Sequence, residues 1–392
     1  MTQRPIYLDS HATTPVDLRV LEAMYPYFRE QFGNPSSGGH VYGWEAAAAV
    51  EQARATIAAA IGADPTEIIF TSGATEANNL ALKGAAEAAY GQKQHIITVV
   101  TEHNAILDPC RYLASLGFAV TYLAVDGQGL IDLGALVAAF RPDTLLVSVM
   151  AANNEIGVIQ PLAAIGALCH ERGVYFHCDA AQALTKMPIQ VQEMQIDLLS
   201  LTAHKIYGPK GIGALYVRRR KSNHGLRVNL APQLHGGGHE KGLRSGTLYT
   251  PQIVGFGAAV ALGLELMPTE QLYLQGLRDQ LWSKLQVLPE IYLNGHPSQR
   301  LAGNLNLSVG GVDGAALHLG LRSVVAVSAG SACSSGNVGD TAPSHVLKAI
   351  GRSDSLARAS IRFGLGRDTT ESEIERVVSH SINVIQRLRQ SR

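Results

Sequence analysis

Up to about Leu264, short apolar runs alternate with stretches of helical spacing. The runs are Ile6-Tyr-Leu-Asp9, Glu67-Ile-Ile-Phe-Thr71, His95 to Val100, Ala119 to Val125, Leu145 to Met150, Val174 to Cys178, Leu198 to Leu201 and Ala214-Leu-Tyr-Val217. Near-continuous apolar strands of this kind belong to a sheet covered on both faces. Helical patterns separate most of them. Thr13-Thr-Pro15 opens a helix to about Phe28, Glu45 to Ile61 ends at Gly62, and Ser72-Gly-Ala-Thr75 leads into a helix to Tyr90. Pro109 falls inside the helix expected between Asn104 and Leu116, so that helix starts late or kinks. The alternation predicts an α/β fold with a mostly parallel sheet and helices on both faces.

Beyond Leu264 the texture changes. A charged amphipathic stretch, Thr269 to Leu288, precedes short strands, the glycine/serine segment Ser328 to Gly339 and a helix from Glu371. The expected division is a large domain over 16–262 and a smaller α+β domain formed by 1–15 and 263–392, carrying a mobile loop at about 326–342.

Composition narrows the class. Lys+Arg 32 balances Asp+Glu 32, which argues against a nucleic-acid partner or an anionic membrane surface. The basic run Arg218-Arg-Arg-Lys221 reads as a solvated loop. The first residues lack an apolar signal core, and the most apolar helical stretch, Ile253 to Leu266, falls short of the ~18–20 residues of a membrane span. Four cysteines make no disulfide framework in so long a chain, so the expectation is a protein of a reducing, cytoplasmic compartment.

The candidate chemistry gathers at strand ends. In Asp197-Leu-Leu-Ser-Leu-Thr-Ala-His-Lys205-Ile-Tyr-Gly, a strand runs into a turn ending on Lys205. Partial desolvation there favours the neutral amine that a Schiff-base lysine needs, although an ordinary loop lysine fits the local pattern too. Ser72-Gly-Ala74-Thr75 joins a strand to a helix start, which suits either a phosphate cradle or a routine turn. Asp179, in His177-Cys-Asp-Ala-Ala-Gln182, lies at the edge where open α/β sheets bind ligands; a protonated pyridine nitrogen or a structural cation would satisfy it. His103 could stack on a cofactor ring or cap a helix, and Asn154 is a further edge donor. The series of a phosphate turn, a flat imidazole, an Asn, an Asp and a Lys follows the order of a pyridoxal phosphate enzyme.

Cys333, in Val327-Ser-Ala-Gly-Ser-Ala-Cys-Ser-Ser-Gly336, has only small neighbours, which favours a reactive thiol over a core residue. Cys110, Cys169 and Cys178 sit in apolar patterns and read as inert. None of these sites has zinc-ligand spacing, so no metal is expected beside the cofactor. Arg362, in Ser360-Ile-Arg-Phe-Gly, offers a fork for a substrate carboxylate or a surface ion pair.

The chain resembles the cysteine desulfurases of the aminotransferase class V family, of the nitrogen-fixation and iron–sulfur-cluster type. The motifs run nearly end to end: Tyr7-Leu-Asp9 with Ala12-Thr-Thr-Pro15, Phe32-Gly-Asn-Pro-Ser-Ser37, Phe70-Thr-Ser-Gly-Ala-Thr-Glu76, Thr101-Glu-His103, Asn153-Asn-Glu-Ile-Gly157, His204-Lys-Ile-Tyr-Gly-Pro-Lys-Gly-Ile-Gly213, Gly236-Gly-Gly-His-Glu240, Arg244-Ser-Gly-Thr247 and Gly330-Ser-Ala-Cys333. The form around Cys333 is similar to the subgroup with the longer mobile loop.

The resemblance implies an aminotransferase-like fold of type I and pyridoxal 5'-phosphate as cofactor. It implies that Lys205 holds the cofactor and moves protons at the substrate α-carbon. His103 would stack on the ring, Asp179 would pair with its nitrogen, and Gln182 and Asn154 would face its oxygen or the substrate. Thr75, Thr202 and His204 would bind phosphate, as would Thr247 from the partner subunit of a homodimer with shared sites. Arg362 and Asn34 would hold the carboxylate of L-cysteine. Cys333 would accept sulfur as a persulfide and pass it to an acceptor such as an iron–sulfur scaffold protein, where it could contact a cluster. A cystine or selenocysteine lyase, or another class V aminotransferase, is the alternative within the family. The chain departs from its relatives at Ser10-His11, Ala151-Ala152, Thr202-Ala203 and Gly364.

Overall fold

The computed structural model describes residues 4–219, 227–329 and 342–390. Seven strands form one sheet in the order Ile68–Thr71, Gly213–Val217, Leu198–Thr202, Tyr175–Asp179, Thr144–Ser148, His95–Val99 and Ala119–Leu123. Gly213–Val217 alone runs against its neighbours; the other strands all point one way. Their exits therefore lie along a single edge, which places the turns after Thr71, Val99, Ser148, Asp179 and Thr202 side by side.

Both sheet faces are apolar, as the unbroken runs require. Ile68, Phe70, Val147, Phe176 and Leu201 join one core with the helix Val41–Ala60. Ile69, Leu146, Tyr175 and Leu198 join another with the helices Ala74–Ala88 and Asn104–Ser115. That last helix begins at Asn104 and runs through Pro109 without starting late.

A second body carries a three-stranded antiparallel sheet, Ile291–Leu293, Asn304–Val309 and Ser360–Gly364, with Asn304–Val309 in the middle. The N-terminal strand Ile6–Tyr7 pairs in parallel with Val325–Ala326 and packs into the core of this body.

Three local expectations need correction. The stretches Ile253–Leu266 and Thr269–Leu288 do not form separate elements; one helix, Thr250–Leu285, spans 36 residues and passes through Pro268. It is long and apolar enough to cross a membrane by length and composition, yet 50% of its apolar window is buried within the protein. Ile253, Phe256 and Val260 enter the first core, whereas Leu274, Leu277 and Leu281 enter that of the second body. The helix thus acts as a spine shared by both.

Second, no helix starts at Thr13. Asp17 caps Leu18–Met24, and a short helix Pro26–Arg29 follows. Thr14 is held back because its Oγ1 accepts the Tyr207 N–H at 2.8 Å while its own N–H donates to the His204 carbonyl at 2.9 Å. Third, Arg218 is no solvated loop residue. It is buried, pairs with Asp197 at 3.2 Å and donates to the Ile196 and Val191 carbonyls. Arg220 and Lys221 lie outside the described residues.

The segment Gly236–Thr247 is anchored to the large sheet through Glu240. Its carboxylate accepts both terminal nitrogens of Arg54 at 2.8 Å and the Phe70 N–H at 2.6 Å. Glu240 and Lys241 both adopt left-handed backbone, φ 50° and 60°, a strain that this tie maintains. Removing one partner of a buried, bidentate pair leaves the other charge stranded. Glu240→Ala should therefore cost about 3–5 kcal/mol in urea unfolding at fixed protein concentration; a loss below about 1 kcal/mol would place the anchor elsewhere.

Candidate active site

A cavity of about 440 Å³ opens at the strand-exit edge of the large sheet. Ala74, Thr75, His103, Asn154, Asp179, Gln182, Thr202, His204, Lys205 and Arg362 all line it. Residues separated by almost 300 positions thus share one space. Asn34 does not line it; it is exposed and turns back to accept the Ser36 N–H. Thr247 is also exposed and outside the cavity. Cys333 lies outside the described residues.

One end of the cavity suits an anion. The helix Ala74–Ala88 starts from Gly73 with no side chain capping it, so its first N–H groups and positive dipole end face the space. Gly73 has φ 152°, a conformation open to glycine and costly for other residues. Gly213 on the neighbouring strand has no room for a side chain, since a Cβ there would lie 2.4 Å from the Leu201 carbonyl oxygen and 2.7 Å from the Gly73 Cα. Lys210 and Lys205 add positive charge to the walls. Burial, followed by the nearby Lys205, Lys210 and Lys186, pushes the His204 imidazole down to about 4, so it faces this end uncharged. Its Nδ1 sits 3.1 Å from Thr13 Oγ1.

The floor presents a buried carboxylate. Asp179 is 5% exposed, and its oxygens accept the Asn78 amide at 2.7 Å and the Ala181 N–H at 2.9 Å. Neither partner carries charge, so a cation placed in the cavity would find a desolvated partner ready oriented.

His103 does both of the things its position suggests. It caps the helix Asn104–Ser115, its Nδ1 accepting the Ala105 N–H at 3.0 Å, and its ring lines the cavity. An accepting Nδ1 leaves the proton on Nε2. Burial lowers the pKa of this imidazole, with Asp179 opposing the shift and Lys205 adding to it. The preceding residue, Glu102, is fully enclosed, and burial raises its carboxyl well above the ordinary range. Oε1 of Glu102 accepts the Met150 N–H at 2.7 Å, pinning the exit of the strand Thr144–Ser148.

Arg362 comes from the other body. It is 1% exposed, donates to Asp9 at 2.7 Å and to the Asn154 carbonyl at 3.0 Å, and leaves Nε without a partner. The guanidinium is thus held rigid with a donor to spare, which suits a ligand carboxylate. Lys205 sits in the turn that Thr13 and Thr14 clamp through the His204 carbonyl.

Asn78 and Lys210 escaped the sequence reading as site residues, and His11 entered it only as a departure from relatives. Asn78 had a signal, since it follows Ala74 by one helical turn and shares its face. Lys210 looks like any loop lysine, and His11 becomes notable only when the N-terminal strand reaches the second body. Cys110, Cys169 and Cys178 are buried, and burial raises all three thiols, as their apolar surroundings suggested.

This donor set fits pyridoxal phosphate: a phosphate-sized anion cradle, a flat imidazole, a buried carboxylate for a protonated ring nitrogen, and a lysine amine in the same cavity. The comparisons with known proteins agree. The family described as aminotransferase class-V matches residues 6–377. The chain is 53% identical over 392 residues to the cysteine desulfurase IscS of Methylobacillus flagellatus, covering 100% of this chain and 95% of that protein. It is 51% identical to a cysteine desulfurase of Rattus norvegicus, covering 99% of this chain and 84% of the relative. Among solved structures, a NifS-like protein superposes with a TM-score of 0.89 at 36% identity, over 98% of this chain and 100% of that one. SspA in complex with cysteine superposes with a TM-score of 0.80 at 41% identity, over 92% and 98%. With near-complete coverage by a family match and by relatives above half identity, the chain belongs to the aminotransferase class-V family.

Proposed function

We propose that this chain is a pyridoxal phosphate-dependent cysteine desulfurase that converts L-cysteine to L-alanine and leaves the sulfur on Cys333 as a persulfide. The observation that carries the reading is the meeting of Lys205, Asp179 and an uncapped helix N-terminus in one cavity with Arg362 from the second body. When bound, the cofactor supplies an electron sink for charge developing at the substrate α-carbon.

The chain's own residues do the rest. Thr75, with the N–H groups of its helix, Thr202 and His204 hold the phosphate end, and Asp179 keeps a ring proton in place. Arg362 and Asn154 orient the amino acid by its carboxylate. Lys205 takes the α-proton and later returns one. The Cys333 thiolate attacks the substrate sulfur: the Cβ–S bond breaks, an S–S bond forms, sulfur is oxidised and the carbon reduced. The same thiol must meet the substrate and then an outside acceptor, for which an iron–sulfur scaffold protein is the proposed class. A thiol that cycles through a persulfide works best in a reducing compartment, in keeping with a cytoplasmic setting.

The chain is further proposed to act as a homodimer. Tyr25, Phe28, Phe32, Tyr42, Trp44 and Tyr249 are all exposed. The helices Leu18–Met24, Pro26–Arg29 and Val41–Ala60 all pack on Thr250–Leu285, Phe28 meets Tyr249 edge to face at 6.3 Å, and Phe32 lies 5.5 Å from Tyr42. Exposed aromatic side chains are enriched at protein interfaces. Thr247, two residues before Tyr249, is exposed and does not line its own cavity, which leaves it available to complete a partner's phosphate site.

Two experiments test these readings. With L-cysteine and a thiol reductant, Lys205→Ala should lose alanine formation by about 10²–10⁴-fold, and Cys333→Ala by about 10³-fold or more while the cofactor's absorbance persists. Full turnover by Cys333→Ala would point instead to a lyase. Phe32→Asp combined with Trp44→Asp should yield monomers by light scattering, with weakened cofactor retention; a double variant that stays dimeric would move the interface elsewhere.

A further inference from the structure

A second chamber, of about 20 Å³, adjoins the Lys205 turn. Lys205 and His11 line both it and the main cavity. Its other polar walls include Lys186, Glu270, Ser10 and Thr14. That volume and that many polar partners suit one water molecule. His11 is 2% exposed, and neither of its ring nitrogens has a partner. A buried imidazole is normally satisfied, so an unsatisfied one on a polar chamber points to a ligand or solvent contact. Gln182 links the pair: its amide nitrogen donates to the His11 carbonyl at 2.9 Å, and its Oε1 accepts Lys186 Nζ at 3.4 Å.

We propose that Lys186 and His11 form a proton store behind Lys205, holding the proton that Lys205 sheds and returning it within the same turnover. The proposal rests on Lys205 being the proton-transfer amine of the desulfurase reaction. That reaction, L-cysteine plus the Cys333 thiol giving L-alanine plus the persulfide, consumes no net proton. In that balance the thiol proton matches the one that closes the methyl group, and the α-proton that Lys205 takes matches the one it returns, so the α-proton must be kept close between those two events. Lys186 and His11 act through Lys205 and the chamber, and are positioning residues in this scheme.

The electrostatics suit the role. Burial, Lys205 and Arg362 lower Lys186 to about 7, with Glu270 opposing. Glu270 is itself engaged by Arg367 at 3.0 Å. Lys186 can therefore gain and lose a proton at working pH, which an ordinary lysine does not. Burial and the cations Lys186, Arg362, Lys205 and Arg300 all hold the His11 imidazole neutral, with one donor and one acceptor nitrogen free to pass a proton along.

The test uses the holoenzyme labelled with ¹³Cε-lysine. The Lys186 resonance, identified by its loss in Lys186→Met, should titrate near pH 7. In Lys186→Met, kcat should fall about 10²-fold and its pH profile lose the step near neutrality, with KM for cysteine and the cofactor's absorbance unchanged. Lys186→Arg should not restore kcat, because a guanidinium keeps its proton. His11→Ala should show the same kcat loss with an unchanged KM. A Lys186 resonance titrating above about pH 9, or rescue by Lys186→Arg, would overturn the proposal and leave Lys186 a fixed charge. Turnover by Lys205→Ala would instead sink the reading of Lys205, a result the Lys186 titration does not affect.

Discussion

A carboxylate removed from water needs a positive partner, and in this protein Asp179 finds none among the groups that hold it. Asn78 and the Ala181 N–H fix its direction without neutralising it. This one unmet requirement organises the cavity, because the strand Tyr175–Asp179 lies at the centre of the sheet and every parallel neighbour ends beside it. Whatever cation occupies the space is flanked by His103 on one exit, by Lys205 on another, and by the helix N-terminus at Gly73. A pyridinium carrying a phosphate answers the carboxylate and the helix dipole together.

Another wall of the cavity is made by a different body. Arg362 lies on the antiparallel strand Ser360–Gly364, and its ties to Asp9 and to the Asn154 carbonyl bridge the N-terminal segment and the large sheet. The helix Thr250–Leu285 contributes to both cores and sets the spacing between them. A guanidinium built on one body and an amine built on the other line the same cavity, so a small shift of either body would alter the spacing between them. The same meeting of bodies creates the chamber shared by His11, Lys186 and Lys205. His11 arrives with the N-terminal strand and Lys186 with the large sheet.

Much of this was legible beforehand. Each apolar run from Glu67 to Val217 became a strand within a residue or two, because a strand buried on both faces leaves an unbroken apolar mark. Lys205, Asp179, His103 and Thr75 were legible for a related reason: a polar residue just past such a run must stand at the sheet edge. The misreadings share a cause. Thr13 and Thr14 carry a helix-start pattern that the distant Tyr207 and His204 backbone overrides. The chain around Leu266 changes composition without changing element, since one helix serves two cores. Arg218 reads as part of a basic run but fills a buried pairing with Asp197, 21 residues earlier in the chain.

Order and polarity along the chain thus sufficed for the class of fold, the row of exit residues and the cofactor chemistry, because each depends on neighbours only a few positions apart. Folding alone decided that Arg362 is already engaged by Asp9, that Asn34 and Thr247 do not line their own cavity, and that the His11 ring lies buried with neither nitrogen partnered. The Arg362 and His11 environments depend on contacts between segments well over a hundred residues apart, and local spacing carries no trace of them.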